Sequence, residues 1–259
     1  MSLWDTKMNN NLCIVTGCNG DIGRSIVASF KKKGFTVLGI DKHKNFLNNI
    51  DIPFQYDLKE LINKESYFAK FQKDLDKTLL EYKLRVVVNN AAIQNLSKNN
   101  ISDIKKFRDS LDVNTIAPLL IYRLVSKSLS KNKGCLINIG SIHSSLTKDK
   151  FGLYAASKAA LKSLTSSIAI ENKGKILTYL IEPAAIDTKM LRSGIKDKEK
   201  FNKLANFHPS GTIGSPDDIA NIISFLYDAK IKFLHGTCID LSGGIKNILH
   251  DPDQAYEWR

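Results

Sequence analysis

The chain has 259 residues, of which 43% are hydrophobic and 25% are charged, the balance of an ordinary globular protein. This composition excludes a disordered chain, and 15 glycines with 6 prolines exclude a collagen-like or low-complexity one. Because the longest apolar runs, such as Leu12–Val15, reach only four or five residues, no segment is long enough to span a bilayer. The first twelve residues hold no apolar stretch of a secretory signal, so we expect a cytoplasmic protein without a membrane anchor.

Lysine and arginine number 38 against 26 aspartates and glutamates, which gives a formal net charge of +12. Such a charge is compatible with a nucleic acid, an acidic protein or an anionic ligand as partner. The lysines are scattered over the ends and outer faces of predicted helices, with no interleaved aromatic residues. We therefore interpret them as solvated surface and expect no nucleic-acid partner, with an anion-steering face as the alternative.

Cysteines and histidines give no sign of a disulfide framework or a metal site. The four cysteines form no C-x-x-C pair, which indicates reduced thiols. The five histidines show no ligand spacing such as H-E-x-x-H, so we expect no metal.

Short apolar runs alternate with amphipathic stretches along the chain. The run 12–15 is typical of a strand buried on both faces, and Ile22 to Lys33 has the apolar period of a helix that ends before Gly34. Further strands are predicted at 35–40, 53–56, 85–88, 135–139, 176–181 and 237–241. Further helices are predicted at 58–82, at 104–131 as one helix or two broken near Pro118, at 155–171 and at 216–227.

Strands that alternate with helices are typical of a parallel sheet covered on both faces, and right-handed crossovers make such a sheet doubly wound. The sequence therefore predicts an α/β protein with about seven parallel strands. No linker or internal repeat divides the chain, so we expect one domain over 1–259. The polar, lysine-rich stretch 184–214 has no predicted strand, and we interpret it as a lid or substrate-binding loop.

A glycine-rich turn, Thr16–Gly23, joins the first predicted strand to the first helix. Its glycines permit a tight turn and a close backbone approach to a pyrophosphate, and the helix N-terminus offers free N–H groups. The next strand ends in Asp41, whose carboxylate can bind ribose hydroxyls and would repel a 2′-phosphate. The sequence therefore predicts a dinucleotide site and favours NAD over NADP, although Lys42 and Lys44 weaken that preference.

Tyr154 and Lys158 are four residues apart at the start of a predicted helix, so their side chains share one face. An ordinary tyrosine, with a pKa of about 10, is a poor base at neutral pH. A lysine charge ~4–5 Å away, at an effective dielectric of ~20, is worth ~3–4 kcal/mol and would lower that pKa to about 7 or 8. Such a phenol suits general acid–base catalysis. Ser141 follows the strand 135–139, at the sheet edge where catalytic residues of such sheets lie.

A set of short motifs runs in order from Thr16 to Gly244. It comprises the glycine-rich turn, Asp57–Leu58, Asn89–Ala92, Asn114, Ser141, Tyr154 with Lys158, Pro183 with Thr188, and Ser242–Gly244. With this set the chain resembles the short-chain dehydrogenase/reductase family, in its single-domain branch of about this length. The resemblance implies a Rossmann-like fold and a direct hydride transfer between a nicotinamide and a hydroxyl or carbonyl carbon.

The resemblance also implies residue roles. Tyr154 exchanges a proton with the substrate oxygen, and Lys158 lowers the tyrosine pKa and binds the nicotinamide ribose. Ser141 hydrogen-bonds the reacting oxygen, and Asn114 holds a water that links Lys158 to solvent. The implied cofactor-binding residues are Gly17, Asn19, Gly20, Asp21, Ile22, Gly23, Asp41, Asp57, Leu58, Asn90, Ala91, Ala92, Tyr154, Lys158, Pro183, Ile186 and Thr188. Family members are commonly homotetramers or homodimers, so we expect one of these.

Three positions depart from the family pattern and leave the catalytic set complete. Asp21 stands where the turn usually has its middle glycine, while Ala92 and Ala184 each replace a usual glycine. On the substrate side, His143 is a candidate contact, and Lys189, Arg192 and Lys196 are candidates to meet an anion. The apolar candidates are Leu146, Phe151, Met190 and Leu191.

Our main hypothesis is an NAD-dependent enzyme acting on a small polar or sugar-like hydroxyl or carbonyl compound. The first alternative is an NADP-dependent reductase of a carrier-bound 3-oxoacyl chain, with the basic surface docking an acidic carrier protein. The second is a dinucleotide-binding scaffold without turnover. Asp41 argues against the first, and the set of Ser141, Tyr154 and Lys158 argues against the second.

Overall fold

The fold is built on a single parallel sheet. A computed structural model describes residues 10–98, 103–195 and 197–248. Its seven strands lie in the order β3-β2-β1-β4-β5-β6-β7, and every neighbouring pair is parallel. Their bounds are β1 Asn11–Thr16, β2 Thr36–Asp41, β3 Ile52–Gln55, β4 Lys83–Asn89, β5 Cys135–Ile139, β6 Leu177–Pro183 and β7 Cys238–Leu241. The predicted doubly wound, Rossmann-like α/β fold is confirmed.

Helices cover both faces of this sheet. They are α1 Asp21–Lys32, α2 Leu58–Asn63, α3 Glu65–Glu81, α4 Ile104–Leu111, α5 Ala117–Lys131, α6 Gly152–Asn172, α7 Lys189–Gly194, α8 Lys198–Phe207 and α9 Pro216–Ala229. Because side chains alternate along a strand, Cys13 and Val15 of β1 join the core under α1 and α9, while Leu12 and Ile14 join the opposite core under α3 and α5. Burial on both faces explains why the central strands are continuous apolar runs.

One predicted helix, over 58–82, is divided in the structure, and the prediction of one or two helices over 104–131 is resolved in favour of two. The stretch predicted as one helix over 58–82 is two helices, because Lys64 has the extended conformation φ −132°, ψ 107°. The stretch 104–131 holds two helices joined by a π-helical turn, Asp112–Ile116, and Pro118 lies in the first turn of the second helix. The π-helical turn ends two residues before the proline, which cannot donate the N–H that a continuous α-helix would use.

The stretch predicted as an irregular lid, 184–214, is largely helical. It contains α7 and α8, and a short parallel bridge joins Ile186 to Gly214 at its base. Side-chain caps explain why these helices form, since Thr188 accepts from the Leu191 N–H and Asp197 from the Glu199 N–H. With six residues, α7 is too short to show a recognisable amphipathic pattern in the sequence.

Strand order reverses beside β1, whose neighbours are β2 and β4. In open parallel sheets, ligands bind outside the carboxyl ends of the strands at such a point. The loops that follow β1, β2 and β4 therefore meet there.

Candidate active site

A cleft of about 1280 Å³ runs along the carboxyl ends of the strands. Two of the predicted site residues, Gly23 and Asn114, lie outside its wall. The predicted residues that line it are Gly17, Asn19, Gly20, Asp21, Ile22, Asp41, Asp57, Leu58, Asn90, Ala91, Ala92, Ser141, Tyr154, Lys158, Pro183, Ile186 and Thr188. The tertiary structure thus brings nearly the whole predicted set into one space.

The turn after β1 is shaped by two glycines. Gly17 has φ +65°, and a Cβ on it would lie 2.8 Å from the Ala91 Cα. A Cβ on Gly23 would lie 2.2 Å from the Gly17 carbonyl oxygen, closer than any real contact. Gly23 therefore packs α1 against the turn rather than facing the cleft.

Asn90 holds the same turn from the side of β4. Its side-chain nitrogen donates to the carbonyl oxygens of Thr16 at 3.0 Å and Gly17 at 3.1 Å. The Thr16 hydroxyl accepts from the backbone N–H groups of Asn90 and Ala91, both at 3.0 Å. Asn90 thus fixes the shape of the turn in addition to lining the cleft.

The arrangement fits a dinucleotide. The N-terminus of α1 opens onto the cleft, where its N–H groups and positive dipole end favour a phosphate. The buried side-chain oxygen and nitrogen of Asn19 have no hydrogen-bond partner among the described residues. A buried polar pair without partners costs free energy, and a ligand that bonds it removes that cost.

Asp41 lies at the end of β2, as the sequence predicted. Its two carboxylate oxygens accept from the backbone N–H groups of Asn19 at 3.1 Å and His43 at 3.0 Å. A carboxylate has about four acceptor positions, so hydrogen bonds from ribose hydroxyls remain open to it. Lys42 and His43 also line this end of the cleft.

Tyr154 and Lys158 lie one turn apart on α6, and both are buried. The Lys158 Nζ is 5.8 Å from the centre of the Tyr154 ring and donates to the Ile139 carbonyl oxygen at 2.7 Å. Ser141, which follows β5, hydrogen-bonds the Tyr154 hydroxyl, and its own oxygen accepts from the His143 N–H at 3.2 Å. The three side chains therefore converge on one point of the cleft.

The pKa expected for Tyr154 is wrong for the protein without cofactor. Burial raises the pKa of Tyr154 to about 12, despite the hydrogen bond to Ser141 that lowers it. Burial also lowers the pKa of Lys158 to about 7, so at neutral pH the lysine is charged only in part. Desolvation penalises both charged forms, which the Coulomb estimate from spacing alone left out.

Asn114 is fully buried on the π-helical turn behind the cleft. Its side chain bonds Ile93 twice, accepting from the N–H and donating to the carbonyl oxygen, both at 2.9 Å. Its side-chain nitrogen also lies 2.9 Å from the Ser157 hydroxyl. These contacts tie the turn to α6 and to the chain after β4.

An aromatic group stands beside Tyr154. The His143 ring centre lies 6.0 Å from the Tyr154 ring and 4.6 Å from the Phe151 ring, and the Lys148 Nζ lies 4.4 Å over Phe151. Burial lowers the pKa of His143. The imidazole is therefore neutral at pH 7, and a proton on its Nδ1 completes the contact with the Leu146 carbonyl oxygen at 3.2 Å.

The outer wall combines predicted and unpredicted residues. Leu146, Phe151, Met190 and Leu191 line it as expected, and so does Lys189. Arg192 instead pairs with Asp187, and Lys196 lies outside the described residues. No sequence pattern pointed to Gln94, Lys148, His208 or Lys246, which also line the cleft, because each is a single polar residue in an ordinary loop or helix end.

Residues 10–98, 103–195 and 197–248 contain neither a membrane-spanning helix nor a cluster of metal ligands. No helix in these ranges is long and apolar enough to cross a membrane. In the same ranges, histidine, cysteine, aspartate and glutamate side chains form no group of three or more that could hold a metal ion.

Comparison with known proteins agrees with this geometry. Residues 18–246 match a family model described as enoyl-(acyl carrier protein) reductase. The 3-oxoacyl-[acyl-carrier-protein] reductase FabG of Escherichia coli is 26% identical over 242 residues, which cover 92% of this chain and 98% of that protein. A solved 4-hydroxyisoleucine dehydrogenase mutant, complexed with NADH and succinate, is 27% identical with a TM-score of 0.83, covering 92% of this chain and 100% of the other. The aldohexose dehydrogenase of Thermoplasma acidophilum shares the fold, with a TM-score of 0.86 at 24% identity over 97% of this chain and 99% of that one.

The parallel sheet, the glycine turn and the cleft at the strand ends define a Rossmann-like nucleotide-binding protein. The chain belongs to the short-chain dehydrogenase/reductase family. It is an oxidoreductase of CH–OH and carbonyl groups that uses a nicotinamide cofactor.

Proposed function

We propose that this protein is an NAD-dependent oxidoreductase whose active site consists of Ser141, Tyr154, Lys158 and Asn114. The observation that carries the proposal is the convergence of Ser141, Tyr154 and Lys158 in a cleft whose other end fits a dinucleotide. A bound nicotinamide supplies the acceptor or donor of the hydride.

The side chains of the protein carry out the proton transfer that accompanies the hydride transfer. In oxidation, the substrate hydroxyl gives its proton to the Tyr154 oxygen while Ser141 holds the substrate oxygen by a hydrogen bond. Lys158 favours the phenolate only when it is itself charged, because a nearby positive charge lowers the pKa of a phenol. We propose that Asn114 anchors the water through which Lys158 exchanges protons with solvent.

We propose NAD rather than NADP as the preferred cofactor. The carboxylate of Asp41 faces the cleft end where an adenosine ribose would lie, and it would repel a 2′-phosphate. Lys42 lines the same end and reduces this discrimination. Several other implied residues would contact the adenosine and the pyrophosphate. They are Gly17, Asn19, Gly20, Asp21, Ile22, Asp57, Leu58, Asn90, Ala91 and Ala92.

The charges along the cleft support an anionic substrate. Its acidic lining residues, Asp21, Asp41, Asp57 and Asp109, all belong to the half built from β1 to α4. Among the described residues of the other half, none that lines the cleft is acidic, while Lys148 and Lys246 do line it. We therefore propose a hydroxy or oxo acid as substrate, in place of the sugar-like compound expected from the sequence.

Lys148 is the side chain that we assign to the carboxylate. No ion pair joins its ammonium to a carboxylate within the described part of the chain, and its position over Phe151 is one ring away from His143 and Tyr154. The protein around it lowers its pKa by desolvation, so a bound anion would restore the lost stabilisation of its charge. The solved 4-hydroxyisoleucine dehydrogenase mutant supports an anionic substrate, because that protein is complexed with NADH and with succinate, a dicarboxylate.

A panel of hydroxy acids and their primary amides, followed by NADH absorbance, tests both parts of the proposal. We expect turnover of at least one acid and loss of about 10²–10⁴-fold in kcat in Tyr154→Phe, with NADH binding retained. Lys148→Met should raise KM for the acid about tenfold and leave KM for the amide unchanged. The control variant Lys105→Met, at an exposed position, should leave both KM values unchanged. Turnover of neutral compounds alone would refute the anionic substrate, and no turnover of any carbonyl or alcohol would refute the enzyme assignment.

The second candidate is a reductase of carrier-bound 3-oxoacyl chains. The FabG relative of Escherichia coli, the net charge of +12 and the apolar wall of the cleft favour it. In that case the anionic group would be the phosphate of a carrier-bound thioester. Activity on such a thioester with NADPH, exceeding that on every small acid with NADH, would establish it.

We also propose that the chain forms a homodimer or homotetramer in the cytoplasm. Ala156 and Ala159 are exposed on α6, where small side chains permit close helix packing. Light scattering of the purified protein tests this, since a mass of 29.0 kDa would identify a monomer.

A further inference from the structure

A buried carboxylate that the reaction does not use lies directly behind the active site. Glu182 is the second-last residue of β6, and its side chain is 0% exposed. It does not line the cleft, whereas its neighbour Pro183 does. An acidic residue in a buried strand needs strong partners, because an unpaired charge in the interior costs several kcal/mol.

Four side chains from three other segments supply those partners. Lys246, which follows β7 and lines the cleft, lies 2.6 Å from Oε2. Lys162 on α6 lies 3.2 Å from Oε1, and the Ser144 hydroxyl donates to the same oxygen. The Cys238 thiol of β7 is the fourth partner. One carboxylate therefore connects β6 with α6, with β7 and its following segment, and with the turn after β5.

The turn after β5 begins at Ser141. It is a short helical turn, Ile142–Ser144, for which Ser141 is the N-terminal cap. Lys162 reinforces the attachment by donating to the Ser145 hydroxyl at 3.0 Å. The far end of the turn is thus fixed to the sheet by Glu182, and its near end holds the hydroxyl that bonds Tyr154.

The second connection runs along α6. Lys162 lies one turn beyond Lys158 on the helix that also carries Tyr154. Its bond to Glu182 therefore fixes the helix and the Ser141 turn to the same carboxylate of the sheet. A shift of either element relative to the other would have to break a partly buried, charge-assisted hydrogen bond.

We propose that Glu182 is a positioning residue, which sets the distance between Ser141 and Tyr154 through Ser144 and Lys162. This inference rests on the proposed catalytic roles of Ser141 and Tyr154. Because a displacement of about 1 Å at a reacting group can cost 10²-fold in rate, the effect of Glu182 falls on kcat.

The decisive variant is Glu182→Gln, which has nearly the same shape and cannot pair with two ammonium groups. We expect kcat to fall about 10–100-fold, while the Kd for NADH changes less than about twofold. The matched control is Asp228→Asn, which breaks the pair with Lys33 far from the cleft and should leave kcat unchanged. An unchanged kcat in Glu182→Gln would overturn the inference.

A double variant separates positioning from general destabilisation. If Glu182 acts through Ser141, Glu182→Gln should lower kcat by less than about twofold in a Ser141→Ala background, because the group it positions is gone. A purely structural role would lower kcat by the same factor in both backgrounds and would refute the proposal. If Glu182→Gln does not fold, Ser144→Ala removes the hydrogen bond to Glu182 together with a contact to the Ser145 hydroxyl, and it should lower kcat about threefold to tenfold.

Hydrogen exchange provides a measurement without substrate. In Glu182→Gln, amides of the peptide 141–147 should exchange faster, while those of the glycine turn 16–23 should not change. Unchanged exchange over 141–147 would contradict the inference even if no substrate were known. A wild-type protein that turns over nothing would refute the proposed function, whereas this exchange pattern tests Glu182 separately.

Discussion

The two halves of the cleft are built from different materials. The half formed by β1, β2 and β4 is shaped by backbone: glycines at close contacts, helix N–H groups, and Asn90 bonding main-chain oxygens. The half formed by β5, β6 and β7 depends on buried charged or polar side chains, above all Lys158 and Glu182. The first half has no room for a Cβ at Gly17 or Gly23, whereas in the second half the burial of the Lys158 charge costs folding free energy.

The largest effect is expected from Lys158 in the second half. Lys158→Met removes the group that stabilises the phenolate, so kcat should fall about 10²–10⁴-fold in a steady-state assay. NADH binding should weaken far less, because the pyrophosphate end is unchanged. A variant that retained most of its activity would show that the lysine is structural.

The same variant should be more stable than the wild type at neutral pH. Burial lowers the Lys158 pKa from 10.5 to about 7, so the unfolded chain binds more protons between these values. The destabilisation is therefore fully present below pH 7 and declines as the pH rises towards 10.5. Urea unfolding of cofactor-free protein between about pH 7 and 9.5 should show wild-type stability rising relative to Lys158→Met. Parallel curves would contradict the burial cost.

In the first half, Gly23→Ala should destabilise the fold by about 3 kcal/mol, because the new Cβ would overlap the Gly17 carbonyl oxygen. Thermal unfolding measures this. Gly194→Ala is the control, since a Cβ there has nothing within 4 Å, and alanine favours the helix. Equal stability of the two variants would show that the glycine turn has room to adjust.

Glu182 should make the free energy of unfolding depend on pH in the acidic range. Burial acts to raise its pKa, but hydrogen bonds from Cys238, Lys246, Ser144 and Lys162 outweigh it and lower the pKa from 4.5 to about 2. Its contribution is present above pH 4.5 and is lost as the pH falls towards 2. Glu182→Gln should remove about 3 kcal/mol of this dependence, measured by urea unfolding across that range. If the wild type and Glu182→Gln showed the same dependence of unfolding free energy on pH in this range, the carboxylate would not be ionised in the folded protein.

The smallest effect is expected at Asp41. Asp41→Ser removes the repulsion of a 2′-phosphate and leaves Lys42 nearby, so the ratio of the Kd values for NADPH and NADH should fall about tenfold. Fluorescence titration of both dinucleotides measures the ratio. A ratio that stays constant would place the cofactor preference elsewhere.

Local patterns in the sequence predicted the seven strands, the glycine turn, Asp41 and the pair of Tyr154 and Lys158. These features depend on neighbours within a few residues: apolar runs make buried strands, and a spacing of four on a helix puts two side chains on one face. The boundary at Lys64 and the helices within 184–214 were missed, because single extended residues and side-chain caps leave a weak periodic signal.

Only the tertiary structure decided the electrostatics. Desolvation, which raises the pKa of Tyr154 and lowers that of Lys158, depends on what the whole chain packs around them. No pattern in the sequence pointed to Glu182, because its partners are distant in the chain: Ser144 and Lys162 lie 38 and 20 residues before it, and Lys246 lies 64 residues after it. The sequence by itself determined which groups we propose for the chemistry, and the packing of distant segments determined their charges and positions.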